Sequence, residues 1–341
     1  MMNAGEPELI TALSDATIGL HGWIVIDSTL LGPAFGGIRR ARYRDDDDAL
    51  ADARRLARAM RDKCALAGLA AGGAKAVLVD RGEGHDWPAV YAALGREVES
   101  LGGRWVCGPD VGTGAEQLGW VRRTTLHCNP ASNDASRSTA DGVLAAMRAV
   151  WLALGARDAR GRTVVVQGLG GVGGRVARGL VDAGATVIAA DPDPDACARG
   201  RDHGVTIAAV DALASIPCDV LAPCALGHAI DLEAAARWPC RAICGAANNM
   251  LVPGADSILH ARGVVVVPDV IASAGAVIEG VCTVLGHDDP ITRTRIAERI
   301  AAIEHTTASV LAEAAARGLP SAVIASERAR TRLDSPRLGL R

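Results

Sequence analysis

The chain of 341 residues is 49% hydrophobic and 22% charged, the proportions of a folded globular protein with room for two ordinary domains. A net charge of −3 leaves no electrostatic footprint for nucleic acid or an anionic membrane surface, so neither is expected as a partner. No apolar run reads as a bilayer span of ~18–20 residues, and the N-terminal MMNAGEPELITALSDA lacks the basic and apolar regions of a secretion signal. Nine cysteines make an odd set, and the spacings Cys218/Cys224 and Cys240/Cys244 match no zinc finger or ribbon. They read as reduced thiols of a cytoplasmic protein, with no metal site.

The first organised element is a helix over 45–66. The acidic run Asp45 to Asp48 opens it, where carboxylates cap free N–H groups and offset the helix dipole. Ala49, Ala53, Leu56, Met60 and Lys63 recur at spacings of three and four, so Lys63 continues the apolar stripe. A glycine-punctuated turn, Gly68 to Gly73, follows, and then a short strand, Ala76 to Val79, with Lys75 at its mouth. Trp105 to Cys107 form another short strand that runs into a turn carrying Asp110. Residues 127–137, HCNPASNDASR, are polar and turn-rich and read as a linker.

Beyond the linker a helix, roughly 138–154, leads into alternating strands and helices. The strand runs are 163–168, 186–191, 205–210, 218–223, 242–246 and 264–269. Continuous apolar strands between helices imply a parallel sheet covered on both faces. The tail, 290–333, is helical. Domains are expected at 1–133 and 134–320, with 321–341 returning to the first.

The hexapeptide Gly168-Leu169-Gly170-Gly171-Val172-Gly173 follows the first of these strands and opens a helix. The second strand then ends at Asp191. That is the full context of a dinucleotide-binding fingerprint. Gly168 permits the tight turn, Gly170 admits a pyrophosphate to the backbone, and Gly173 lets helix and strand pack. Asp191 would bond the adenosine ribose hydroxyls and repel a 2′-phosphate, which favours NAD over NADP.

The segments LGPAFGGIR, MRDKCALAGLAAGGAKAVLV, PDVGT, STADGV, GLGGVGG, CDVLAPCALG, GAANNML and PDVIASAGAVI occur in the order seen in leucine, phenylalanine and valine dehydrogenases. The sequence therefore resembles the Glu/Leu/Phe/Val amino-acid dehydrogenase family over roughly residues 28–282. The resemblance implies an α/β protein of two domains: an N-terminal α/β substrate domain and a doubly wound Rossmann domain for NAD, with C-terminal helices packing back. It implies that Lys63 holds the substrate carboxylate, that Lys75 is the catalytic lysine and that Asp110 relays protons. It further implies that Gly36, Gly37 and Asn249 contact substrate, and that Thr139, Ala225 and Asn248 contact cofactor. Phe35, Gly108, Val277 and Gly280 would line the side-chain pocket.

Elementary chemistry agrees with those roles. Oxidising an α-amino acid needs a cation for the carboxylate and a base near neutrality for the water that replaces nitrogen. Two ammonium groups in one cleft, both desolvated, depress each other's pKa and make Lys75 such a base. Closure of a cleft about residues 127–137 would exclude water during hydride transfer.

Three departures from the family pattern stand out: Pro109 before the aspartate, Ala74 in the glycine run, and Glu279 in place of an asparagine, which either faces solvent or recognises a polar or cationic group. Gly108 and Gly280 are small, which deepens the pocket, and Phe35 supplies an aromatic wall. The expected substrate is a large aliphatic or aromatic L-amino acid, oxidised reversibly to its 2-oxo acid and ammonia. An unusual amino acid or imine is the alternative, with a non-catalytic NAD-binding regulator as a lesser one. A homo-oligomer, dimer to octamer, is expected from the family.

Overall fold

The computed structural model describes residues 6–225, 227, 229–286 and 290–335. The chain divides into two compact units. One gathers the described residues up to Asn133 with Glu279–Arg293 and those from Ala329 onward; the other comprises Asp134–Ile278 and Thr294–Arg328.

The first unit is built on a five-stranded sheet of β1 (Leu9–Asp15), β2 (Leu20–Ser28), β3 (Ala34–Ala41), β4 (Gly72–Val79) and β5 (Trp105–Gly108). Its spatial order is β1-β2-β4-β3-β5. β2 pairs antiparallel with β1 and β4, whereas β3 runs parallel to β4 and β5. The helix α1 (Asp46–Leu66) begins where its acidic run predicts: the Asp45 carboxylate accepts the Asp48 N–H at 2.8 Å. The helices α2 (Trp87–Ser100) and α3 (Ala115–Val121) complete this part of the unit.

Strand alternation sorts the sheet's side chains. Ala34, Ile38, Ala74, Ala76, Leu78, Trp105 and Cys107 join a core with Tyr91, Leu94, Val98 and Leu118 from α2 and α3. Val25, Val77 and Val79 instead pack on Ala49, Ala53 and Ala57 of α1. Lys75 alternates with the second set. It lies within β4 and not at the strand's mouth, because β4 extends back through Gly72 and Gly73.

The second unit carries a six-stranded, all-parallel sheet: β6 (Thr163–Gln167), β7 (Thr186–Ala190), β8 (Thr206–Ile207), β9 (Cys218–Pro223), β10 (Cys240–Ile243) and β11 (Val265–Val266). Its order, β11-β10-β9-β6-β7-β8, is the 3-2-1-4-5-6 arrangement of a Rossmann fold read from the other edge. Two strands are shorter than their apolar runs predict. β8 keeps only Thr206 and Ile207, and Asp269, expected to end the last strand, opens a one-turn helix, Asp269–Ala272. The helix α4 (Ala135–Ala153) starts three residues earlier than expected, on an Asp134 cap, so the polar linker is shorter than its composition suggests. α5 (Gly173–Asp182) follows the glycine loop. Three helices, Pro290–Ala301, Ile303–Arg317 and Ser321–Asp334, make up the tail; residues beyond 335 lie outside the described residues.

One stretch, Asp269–Gly286, is by length and composition apolar enough to cross a bilayer, which no apolar run was expected to be. It is 56% buried and broken between two helices, as core segments are.

Candidate active site

In the first unit, period-two alternation along β3 points Phe35, Gly37 and Arg39 to the α1 face. Lys75 of β4 is on the same face, and Gly108 of β5 lies directly beside Gly37. Lys63 sits on the buried side of α1 near its end. The two lysines are only 6% and 4% exposed, so neither is a snorkelling surface charge. Phe35, at 2%, is equally enclosed, in register with Gly73 and Val106.

Asp110 follows β5 in a tight turn. Its backbone N–H donates to Thr113 O at 3.3 Å, and Thr113 N donates back at 2.9 Å. Val111 O accepts from Arg40 N of β3, and Tyr91 hydrogen-bonds Thr113 Oγ1 at 2.7 Å, so the turn is fixed to sheet and helix at once. Gly37 makes the close approach possible: a Cβ there would lie 2.4 Å from Pro109 O and 2.8 Å from Asp110 Cβ.

The Asp110 carboxylate meets two cations on one oxygen. Lys75 Nζ lies 2.7 Å from Oδ2, and Arg39 Nε donates to the same oxygen at 3.0 Å. Arg39 Nη1 reaches on to Asp52 Oδ2 of α1 at 3.1 Å, which also accepts from Tyr43 Oη at 2.8 Å; Arg55 pairs with the other Asp52 oxygen. Burial alone would raise the Asp110 carboxyl, but Lys75 and Arg39 outweigh it and hold it at about 2. Burial pushes the Lys75 ammonium down; Asp110 opposes this and Arg39 adds to it. Burial lowers Lys75 as expected, and the cation that adds to it is Arg39, where the sequence pointed to Lys63. The sequence reading passed over Arg39, although it ends the motif LGPAFGGIR and alternates in step with Phe35 and Gly37.

Gly108 and Gly280 do not simply deepen a pocket. A Cβ on Gly108 would meet Asn129 Nδ2 at 3.0 Å, and one on Gly280 would meet both Nδ2 and Oδ1 at 3.0 Å. The two glycines make room for the Asn129 amide, whose Oδ1 is buried without a hydrogen bond. Its backbone is tied to Cys107 O and to the Arg122 guanidinium. Asn129 fell inside the predicted linker, and nothing in its local sequence marks it. Glu279, next to Gly280, is half-buried, with its Oε2 enclosed.

In the second unit the glycine loop follows β6 at the point where the strand order reverses, the crevice in which such sheets bind ligands. Gly168 takes φ +94°, a left-handed turn that favours glycine. A Cβ on Gly168 would touch Ala225 at 3.1 Å, and one on Gly173 would strike Gly168 O at 2.0 Å. Gly170 opens to space, and Gly171 lies beside Ser136 of α4. With Val172 capping α5, this cradle fits a pyrophosphate. Asp191 Oδ2 accepts Leu169 N–H at 2.6 Å, and Oδ1 accepts Asp193 N–H at 2.8 Å, so the carboxylate also braces the loop.

Thr139 lies at the start of the second turn of α4, where Gly275 packs its backbone against Ser138 and Thr139. Val277 is buried two residues further along that helix, Gly275–Gly286. Asn249 is the only non-glycine residue with positive φ, +50°, among the described residues, and its N–H donates to Asp269 Oδ2 at 2.6 Å. Asp269 thus holds the Asn248–Asn249 pair in a conformation asparagine tolerates better than most. It too went unmarked in the sequence, because it reads there as the end of a strand.

Comparison with known proteins bears on this arrangement. Residues 11–127 match the model of the Glu/Leu/Phe/Val dehydrogenase dimerisation domain, and residues 194–329 match that of the Glutamate/Leucine/Phenylalanine/Valine dehydrogenases. A valine dehydrogenase of Streptomyces albus is 36% identical, over 98% of this chain and 94% of its own. A leucine dehydrogenase of Thermoactinomyces intermedius is 33% identical, over 98% and 93%. The crystal structure of an L-tryptophan dehydrogenase from Nostoc punctiforme superposes with a TM-score of 0.80 at 28% identity, over 98% and 97%. With its glycine-loop Rossmann sheet and its buried lysine–aspartate pair, the chain belongs to the Glu/Leu/Phe/Val dehydrogenase family of amino-acid oxidoreductases.

Proposed function

We propose that the protein oxidises an apolar L-amino acid with NAD: amino acid, water and NAD⁺ give 2-oxo acid, ammonium, NADH and a proton. The observation that carries the reading is the Lys75–Asp110 pair, 2.7 Å apart and enclosed on the α1 face of the first sheet. Names of similar proteins, valine and leucine dehydrogenase, support the substrate class. Asp191 at the end of β7 supports NAD, since its carboxylate would repel a 2′-phosphate.

When bound, the nicotinamide supplies the acceptor for the hydride leaving Cα. The protein's own groups do the rest. Lys63 anchors the substrate carboxylate as a compact buried cation. Asp110, a carboxylate at working pH, takes a proton from the substrate ammonium so that nitrogen can share its electrons with Cα. Lys75, lowered by burial, removes a proton from the water that adds to that carbon. Lys75 passes that proton to solvent; the proton on Asp110 then returns to nitrogen, and as ammonia departs Lys75 takes the hydroxyl proton while the carbonyl forms. The loop Gly168 to Gly173, Asp191, Thr139, Ala225 and Asn248 belong to the dinucleotide's side of the reaction. The family resemblance assigns Gly36, Gly37 and Asn249 to the substrate, and Phe35, Gly108, Val277 and Gly280 to the choice of its side chain.

Asn129 favours a narrower reading. A buried amide oxygen lacking a donor fits a substrate side chain that is mostly apolar and carries one N–H or O–H. The family model over residues 11–127 is one for dimerisation, which supports a homo-oligomer. Nine thiols free of disulfides support a reducing, cytoplasmic setting.

The test is a spectrophotometric screen of the twenty amino acids with NAD and NADP, repeated for Lys75→Ala. Turnover of apolar or donor-bearing substrates with NAD is expected, lost in the variant while dinucleotide binding persists. No turnover with any of them, or turnover surviving in Lys75→Ala, would sink the reading.

A further inference from the structure

We propose that Arg39 is a positioning residue of the reaction: a half-buried second cation on Asp110 that holds it against Lys75 and sets the pH at which the pair exchanges protons. This rests on the reading that Lys75 and Asp110 carry the chemistry.

The geometry is that of a relay with a fixed centre. Arg39 lies on β3, between the Asp110 turn on one side and α1 on the other. Its planar fork spans two carboxylates, giving Nε to Asp110 and Nη1 to Asp52. Asp52 is held in turn by Tyr43 and Arg55. A lysine could make one of these contacts as a point charge but not both at fixed angles. The charged and titratable groups facing Arg39 are therefore Lys75 from β4, Asp110 from the turn after β5, Asp52 and Arg55 from α1, and Tyr43 from the β3–α1 loop.

Two consequences follow for proton traffic. Both cations load the same oxygen, Oδ2, which leaves Oδ1, with no cation contact among the described residues, to serve the substrate nitrogen. The Arg39 charge also disfavours a proton on Lys75 and on Asp110 alike. Asp52, of opposite sign, acts on Lys75 in the other direction. Replacing one or the other should therefore move the reaction's pH profile in opposite directions.

The experiment measures kcat/KM for oxidative deamination against pH in wild type, Arg39→Gln, Arg39→Lys and Asp52→Asn, with melting temperature and NAD binding recorded for each. Arg39→Gln is expected to move the rising limb up by about one pH unit and to lower kcat more than it raises KM. Arg39→Lys should keep the limb within about 0.3 unit of wild type while kcat stays low, since charge is restored and the fork is not. Asp52→Asn should move the limb down, and it serves as the decisive variant if Arg39→Gln does not fold. As a readout without turnover, the pH dependence of Lys75 labelling by a small amine-specific reagent, read by peptide mass spectrometry, should shift in the same sense. Unmoved limbs and labelling curves in folded variants, whatever their melting temperatures, would reduce Arg39 to a structural residue and overturn the proposal. Failure of wild type to turn over amino acids would overturn the function instead, and the labelling curves would still decide the role of Arg39.

Discussion

Gly37→Ala adds one methyl group where the sheet leaves no room for it. The new Cβ would lie 2.4 Å from Pro109 O and 2.8 Å from Asp110 Cβ, against the ~3.4 Å of ordinary contact. The turn must therefore retreat by about 1 Å, because β3 is anchored by pairing on both sides whereas the turn is held by a few single hydrogen bonds, to Arg40 N and the Tyr91 hydroxyl among them. Asp110 Oδ2, now 2.7 Å from Lys75 Nζ, would move outside hydrogen-bond range. A misplacement of that size at a reacting group costs about 100-fold in kcat, while overpacking costs only about 1–3 kcal/mol of stability. The assay follows the absorbance of the reduced nicotinamide under saturating substrate, with thermal melting alongside. Gly119→Ala is the control: it sits in α3, where a Cβ meets nothing within 4 Å, and should leave kcat unchanged while adding about 0.5–1 kcal/mol. A Gly37→Ala enzyme that keeps its fold and turns over within threefold of wild type would refute the claim that this glycine sets the position of Asp110.

Other outcomes follow from the same structure. Asp110 is held at about 2 against an ordinary 3.8, which corresponds to about 2 kcal/mol of stability at neutral pH. Because the folded value is the lower one, that contribution is whole above about pH 4 and lost as pH falls toward 2. The melting-temperature gap between wild type and Asp110→Asn should stay level from pH 8 to 5 and close below pH 4. Asp191→Asn should weaken NAD binding by roughly 10-fold or more and narrow its preference over NADP, measured by isothermal titration; equal binding would remove Asp191 from the site. Asn129→Leu should lower kcat/KM for substrates with a side-chain N–H or O–H relative to purely aliphatic ones by at least about 10-fold. An unchanged ratio would show that the amide does not face the substrate.

Much of the site was legible because its signals are local. The acidic cap and the three-four spacing of α1 are properties of one helix, and they put Lys63 on the buried side without reference to anything else. The strand–glycine loop–helix–strand run ending at Asp191 is likewise contiguous, so its geometry is dictated by glycine's freedom and by helix dipoles close at hand. The parallel sheet of the second unit follows from apolar runs alternating with helices, although β8 and β11 shrank to two residues each once pairing, not hydrophobicity, decided their ends.

The first sheet was harder to see. β1, β2 and β3 have no clear local signal, and β3 in particular carries Gly36 and Gly37, poor strand formers held in a strand by pairing with β4 and β5. Sequence by itself singled out the residues to which the proposed function gives chemistry: two lysines, one aspartate, a glycine loop and the acidic residue after β7. Tertiary structure alone decided which of them meet and what else joins them. Arg39 stands 71 residues from Asp110, and their 3.0 Å contact exists because the register of β3 on β5 sets Gly37 beside Gly108. Asn129 fills the space of two glycines at 108 and 280, and Asp269 holds Asn249 from 20 residues away. Periodicity reports which face of an element is buried; the identity of the neighbour across that face is written only in the pairing of strands far apart in the chain.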